Sequence, residues 1–437
     1  MKPYITIIGG GLAGCEAAYQ IAKAGIPVKL YEMKPKKYSP AHSNQNLAEI
    51  VCSNSFKSNL HTNACGLLKE ELLLLDSLLI RIANEVKVPA GQALAVDREM
   101  FSKRVTQEIE NNQNIEIIHE EKQTIPEEGI VIIATGPLTS DTLSKTIGNV
   151  TGEDKLAFYD AAAPIIEKSS INMHIAFVAD RYDYEKQEKK EEASYINLPM
   201  NQQEYEEFWQ ALVHAEVVEL HQFEKREIFE GCMPVEVMAK RGIDTLRFGP
   251  LKPVGFIDPR TGKRPYAIVQ LRQDNQEGTI YNMVGFQTNL KYGEQKRVFQ
   301  KIPGLENAEF VKYGVMHRNT FLHSPSLLNE TYQMKNKPNI YFAGQITGVE
   351  GYVESISSGM VAALNAIRQY NNRPPLIFPK ETMIGALAHY ISSPNEKFQP
   401  MNANFGILPP LEETIKDKKI KYNQLADRAI EKINQMK

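Results

Sequence analysis

The chain has 437 residues, 42% hydrophobic and 24% charged, with a formal net charge of −3. That length is ample for a large core and too long for one ordinary domain. The charge excludes a global attraction to nucleic acid, so any polyanion site must be a local patch.

The start, "MKPYITIIGGGLAG", superficially resembles a signal peptide, but its apolar run is short, broken by glycines and followed by Glu16. No uninterrupted apolar run approaches the roughly 18 residues of a membrane span. Instead, Tyr4 to Ile8 reads as a buried parallel strand. Gly9, Gly11 and Gly14 then occupy the three positions of GxGxxG, and "CEAAYQIAKAG" continues as a helix that Gly25 stops. A second strand, "PVKLYE", ends at Glu32, 18 residues after Gly14. In this arrangement the first glycine makes the tight turn, the second lets a pyrophosphate approach the backbone, and the third lets helix pack on strand. The helix N-terminus faces the phosphates, and Glu32 accepts hydrogen bonds from the adenosine ribose hydroxyls. A lone GxGxxG is weak, but here strand, helix, second strand and terminal acid agree.

Further along, "VCSNSFKSN" (Val51 to Asn59) is polar and rich in turn formers, and reads as an exposed loop or helix cap. "GIVIIATGP" (Gly129 to Pro137) is a strand ending in Ala-Thr-Gly, with Gly136 at the turn. "NQQEYEEFWQALVHAE" reads as an amphipathic helix. In "EGCMPVE", Gly231 and Pro234 frame Cys232 on a rigid bend that exposes the thiol. Cations follow it, and a nearby cation lowers a thiol pKa. Between Glu236 and Arg272 stand eight basic residues against three acids: Lys240, Arg241, Arg247, Lys252, Arg260, Lys263, Arg264 and Arg272. This is a local basic patch suited to the phosphates or carboxylates of a polyanion. Tyr266 and Phe248 are candidates to stack on a base, although aromatics at strand positions are more often core. "RPYAIVQLRQDNQEGTIYNMVGFQT" reads as a hairpin whose loop contains Gly278. Asn339 to Tyr370 reads as a strand, a glycine-rich turn and a long helix, and the charged tail as a helix with Leu425, Ala429 and Ile433 on one face. The four cysteines, Cys15, Cys52, Cys65 and Cys232, form no CxxC and no regular spacing. We therefore expect no metal site and no disulfide framework, and a reduced, cytoplasmic protein.

The Ala-Thr-Gly strand and the segment from Asn339 resemble the second and third signatures of glutathione-reductase-like FAD-binding proteins. That resemblance puts Gly344 near the FAD ribityl-phosphate. It points the helix starting at Gly351 and Tyr352 towards the flavin pyrimidine ring. Nearly end to end, motifs such as "GGGLAGCEAA", "EIVCSNSFKSN", "VPAGQALAVDR", "FEGCMPVEVMAKRG", "GPLKPVG", "GVMHRNTF" and "AGQITGVEGYVES" resemble the folate- and FAD-dependent tRNA (uracil-5-)-methyltransferases, the TrmFO family. GidA/MnmG is a more distant likeness. The weakest segment is 180–193.

The resemblance implies an α/β fold: a discontinuous, glutathione-reductase-like FAD-binding Rossmann domain (1–155 and 325–437) with an inserted α+β domain (156–324). It implies FAD, 5,10-methylenetetrahydrofolate and NADH or NADPH as cofactors, and C5 of a tRNA T-loop uridine as acceptor. The same chemistry on 23S ribosomal RNA and a noncatalytic flavin-bearing RNA-binding protein are the alternatives. No obligate protein partner is expected. Uridine C5 is a poor nucleophile, so the site needs an activated cysteine, a base and a flavin face. Cys232 is read as the nucleophile. Cys52 is read as a second chemical cysteine (proton donor or base, or second nucleophile), with a structural thiol as its alternative. Glu236, His317 and Glu354 are candidates for the base, and His317 joins Lys240, Arg241, Lys252, Arg264 and Arg272 as candidate RNA or folate contacts. Cys15 and Cys65 read as packing.

Overall fold

The computed structural model describes residues 3–152, 156–182, 194–218, 233–396 and 398–436, with the backbone alone for 156–161 and 316–319. The run "ITII" is wholly buried as the strand Ile5–Ile8, at the centre of a six-stranded sheet. Its strand order is Gln333–Met334, Lys337–Phe342, Val131–Ile133, Ile5–Ile8, Val28–Glu32 and Ile115–His119. All neighbours are parallel except the edge strand Gln333–Met334. Parallel strands buried on both faces read as unbroken apolar runs, which is why the inner strands Ile5–Ile8 and Val131–Ile133 are visible in the sequence.

Two helices sandwich their small residues beside that sheet. The first, Leu12–Lys23, ends before Gly25, whose φ is +75°. The second, Tyr352–Tyr370, packs so closely on it that a Cβ at Gly359 would stand 2.3 Å from the Ala13 carbonyl oxygen. Two buried carboxylates tie further helices to this core by binding helix N-termini, where free N–H groups and the helix dipole favour an acid. Glu16 accepts from Ser77 Oγ (2.8 Å) and from the N–H of Leu79 (3.1 Å). Glu71 accepts from the N–H groups of Met383 (2.7 Å) and Ile384 (2.9 Å), and burial pushes its carboxyl up to about 8.

The tail forms the helix Lys418–Gln435, which buries Leu425, Ala426, Ala429 and Ile433. It docks beside the helix Ala64–Leu74, and His61 bridges Glu70 (2.7 Å) and Asp427 (3.0 Å) across that junction. Burial alone would lower the imidazole pKa, but the hydrogen bonds and charges of the two carboxylates outweigh it and hold it above its ordinary value. The charged imidazole therefore stabilises the fold fully below its unfolded pKa of about 6.5, and this contribution is lost as pH rises through the raised folded value. His61→Gln is expected to lower the melting temperature most near pH 6, with the difference from wild type shrinking as the solution becomes alkaline. A pH-independent difference in calorimetry would contradict this.

A second core, running from Ala163 to Ala308, is separate from the first. It lies on a six-stranded antiparallel sheet in the order Phe177–Val178, Tyr195–Met200, Ala267–Gln273, Ile280–Met283, Ile165–Glu167 and Phe310–Lys312. The hairpin expected from the sequence is present, with Gly278 at φ +64° in its loop. The helix Gln202–Val213 opens with an Asn201–Glu204 capping box and buries Tyr205, Phe208 and Leu212. The two chain passages between the cores, Leu156–Ala161 and Met316–Phe321, pair antiparallel with each other.

Candidate active site

The C-terminal ends of the parallel strands open into a cleft with about 1120 Å³ of space, part of it open to solvent. Ile8, Gly9, Gly11, Glu32, Gly136, Gly344 and Tyr352 all line it. In open α/β sheets ligands bind at this place. The glycines divide into two kinds. Gly9 has φ +108°, and a Cβ there would meet the Ala134 carbonyl oxygen at 2.5 Å. At Gly14 a Cβ would overlap the Gly9 carbonyl oxygen at 1.8 Å. These two are required by packing. At Gly11 and Gly136, by contrast, a Cβ would meet nothing within 4 Å. Both border the cleft, so they leave bare backbone for a ligand to approach. Such a cradle fits a dinucleotide pyrophosphate.

Glu32 Oε2 accepts the Gly10 N–H (3.0 Å) and Oε1 accepts the Lys34 N–H (2.9 Å). These two bonds fix the carboxylate at the cleft wall and leave lone pairs for ribose hydroxyls. Gly344, at φ +83°, donates to Ser358 Oγ (2.6 Å). Gly351, at φ +120°, begins the 19-residue helix Tyr352–Tyr370, and no side chain caps that N-terminus. Tyr352 and Ser355 of its first turn line the same cleft.

Cys52 stands beside this helix start. The Tyr352 phenol oxygen accepts the N–H groups of both Cys52 and Ser53 (3.0 Å each). The Tyr352 hydroxyl is thus spent on holding the cysteine loop, and burial pushes its phenol pKa up. Arg98 donates to the carbonyls of Ile50 (3.3 Å) and Cys52 (3.4 Å). Nearby, Lys312 is half-buried, and burial and the Arg98 charge push its ammonium down. Cys15 and Cys65 are buried, and desolvation pushes both thiols up, Cys65 to about 12. Neither is available as a thiolate.

Cys232 lies outside the described residues, and His317 is described by backbone only, opposite Asp160 in the paired passages. Two base candidates have structural duties. Glu236 is buried and accepts from Thr288 Oγ1 (2.9 Å) and the Asn289 N–H (2.8 Å). Glu354 is buried and bonds to Lys57 (3.3 Å) and the Ala403 N–H (2.9 Å), so it does not cap its own helix. In the basic segment Lys240, Arg241, Lys252, Lys263 and Arg264 are exposed. Arg247 pairs with Asp244, and Arg260 with Asp258. Arg272 departs from the sequence expectation. It is 7% exposed and donates to Asn54 and Ser53, so its guanidinium faces the Cys52 loop and not a surface phosphate. Phe248 is 80% exposed at the end of the short helix Thr245–Phe248, whereas Tyr266 lies under the Arg247 guanidinium, 3.5 Å from the ring centre. Arg98 and Lys312 carry no local signal of a role here, because only long-range contacts bring them beside Cys52.

The sheet order, the glycine cradle and the bare helix start define a flavoprotein of the FAD-binding Rossmann type. Residues 4–374 match the family model of glucose inhibited division protein A. Structures of Aquifex aeolicus GidA in two crystal forms superpose with TM-scores of 0.70 and 0.71 at 16% identity. They cover 100% of this chain and 73% and 76% of theirs. The methylenetetrahydrofolate–tRNA-(uracil-5-)-methyltransferase TrmFO of Acetivibrio thermocellus is 61% identical over 431 residues, 98% of either chain. That of Halalkalibacterium halodurans is 59% identical over 432 residues, covering 99% of this chain and 98% of its own. The chain belongs to the TrmFO family, within the wider glucose inhibited division protein A family.

Proposed function

We propose that this protein methylates C5 of a tRNA uridine, the T-loop uridine, with methylenetetrahydrofolate as carbon donor, in the cytoplasm. The observation that carries this is full-length identity of about three residues in five to TrmFO methyltransferases. The cleft supports it, because its residues fit FAD. Gly9, Gly11, Gly14 and Glu32 would hold the pyrophosphate and ribose, Gly136 and Gly344 the middle of the cofactor, and the helix start at Gly351 and Tyr352 the flavin. When bound and reduced by NADH or NADPH, FAD supplies the reducing electrons that turn a methylene into a methyl group.

The protein's own residues prepare the acceptor. A Cys232 thiolate adding to uridine C6 breaks the C5=C6 π bond and moves the electron pair onto the C4 carbonyl as an enolate. C5 then attacks the methylene carbon of the folate and loses its proton to a base as the carbon–nitrogen bond to tetrahydrofolate breaks, leaving a C5=CH2 group. Once two electrons and a proton have made that carbon a methyl, the electron pair returned to the C4 enolate re-forms C5=C6 and expels the thiolate. Cys52, whose N–H is held by Tyr352, would serve as a proton donor or base, a reading that its nearness to the helix start supports. A base attacked at C6 must leave its stack. The exposed Lys240, Arg241, Lys252 and Arg264, with Phe248 beside them in the chain, offer phosphate contacts and a stacking face. His317 is proposed to serve folate or RNA.

Nucleoside mass spectrometry tests the reading. Purified protein with methylenetetrahydrofolate and NADPH should form 5-methyluridine in T-loop tRNA and not in 23S ribosomal RNA fragments. The reverse pattern would move the substrate and keep the chemistry, and no product in either would overturn the assignment. Lys252→Ala should reduce the salt slope of tRNA binding by about one. Phe248→Ala should weaken binding by about 1–3 kcal/mol with the slope unchanged. Wild-type binding in both variants, measured by filter binding over a salt series, would remove this surface from the account.

A further inference from the structure

The Cys52 loop is gripped from both cores. Tyr352 and Arg98 hold it from the FAD-binding side through the backbone of Ile50, Cys52 and Ser53. The other grip is the end of the strand Ala267–Gln273, more than two hundred residues away and built on the second core. There Arg272 donates from Nη2 to Ser53 Oγ (2.8 Å) and from Nε to Asn54 Oδ1 (2.9 Å). Asn54 Nδ2 donates to the Gln273 carbonyl (2.9 Å) and to the Val96 carbonyl (3.0 Å). Asp274 accepts Arg98 Nε on both oxygens, at 3.1 and 2.9 Å. The arrangement is dry: Asn54 is 0% exposed and Asp274 2%.

Each of these bonds ends on a residue within two positions of Cys52, or on the arginine that holds the Cys52 carbonyl. The Asn54 bond to the Val96 carbonyl also anchors the loop on the first core, to which Val96 belongs. Buried charges cannot drift without losing partners that water does not replace. The loop conformation is therefore set jointly by the two bodies.

We propose that Arg272 and Asp274 are positioning residues for Cys52, so that the inserted body, which carries the exposed basic segment, fixes where this thiol stands against the cleft. The proposal rests on the reading that Cys52 acts chemically. Arg272 contacts the loop through its forked guanidinium, so lysine would keep the charge and lose the paired bonds. In Asp274→Asn the acceptor charge opposite half-buried Arg98 is gone while size is kept.

The test uses full-length, FAD-bound protein carrying Asp274→Asn, Arg272→Lys or Cys52→Ala. For each, kcat and KM for tRNA are measured, together with the rate at which iodoacetamide alkylates Cys52, read on its own peptide by mass spectrometry. Asp274→Asn and Arg272→Lys should retain flavin and keep KM within about twofold, while kcat falls about tenfold to a hundredfold, the scale of a misplaced reacting group. Cys52 alkylation should change severalfold in the same variants. Unchanged kcat and alkylation in both would overturn the proposal. So would loss of flavin together with parallel collapse of kcat and KM, the mark of a purely structural role. If one variant fails to fold, the other decides. Full activity in Cys52→Ala would sink the chemical reading of Cys52, while the alkylation rates still decide whether Arg272 and Asp274 place it.

Discussion

Gly11→Val is expected to fold and to purify without bound flavin. Gly11 has φ −79° and ψ −166°, extended backbone that valine adopts freely, and a Cβ there would meet no atom within 4 Å. The fold therefore tolerates the change, with a stability effect within about 1 kcal/mol. The space that the valine fills is the space through which a pyrophosphate reaches the helix N-terminus. Gly14→Val is the contrasting case. Its Cβ would lie 1.8 Å from the Gly9 carbonyl oxygen, so helix and strand cannot pack and the protein should not fold. The two glycines stand three residues apart in one motif and act by opposite mechanisms. Visible absorbance and thermal melting separate them. Normal flavin content in Gly11→Val would contradict the phosphate-cradle reading.

Cys232→Ala should have the largest effect on chemistry and little on folding. The residues that follow it are anchored independently of the thiol. Met233 is buried, Val235 N–H donates to the Gln287 carbonyl (2.7 Å), and Glu236 bonds to Thr288 and Asn289 at the start of the helix Val235–Lys240. The variant should keep its yellow flavin and melt as wild type does. Methyl transfer should fall by about a thousandfold or more, as expected when a covalent nucleophile is removed. Full activity would end the nucleophile assignment.

The parts of this molecule legible in the sequence are those fixed by short-range physics. The buried run Ile5–Ile8, the glycines that follow it, the hairpin around Gly278 and the apolar face of the tail helix each express a local period or turn requirement. The site was legible where a motif carries its own geometry, as at Gly9, Gly11, Gly14 and Glu32. It was not legible where geometry comes from distant contacts. Counting charges along the chain put Arg272 on a basic surface. The strand Ala267–Gln273 is buried along most of its length, and that turns the guanidinium inward to Ser53 and Asn54. Phe248, a candidate to stack on a base with core as the commoner alternative, ends a helical turn and is exposed, which its neighbours in sequence do not reveal. Glu236 looked like a base because it is near Cys232 in sequence, but its carboxylate is consumed by Thr288 and Asn289. Tyr352 was read as a cofactor contact at the helix start. Its backbone and ring do line the cleft, while its hydroxyl serves Cys52.

Attack on a uridine by Cys232, as proposed above, passes through a covalent protein–RNA bond. The most direct measurement is covalent trapping with a T-loop RNA bearing 5-fluorouridine, incubated with wild type or Cys232→Ala in the presence of methylenetetrahydrofolate and NADPH. Fluorine at C5 blocks the proton loss that would release the thiol. Wild type should therefore give a protein–RNA band that survives a denaturing gel, and Cys232→Ala should give none. An adduct of equal yield in the variant, or no adduct with wild type, would contradict the account.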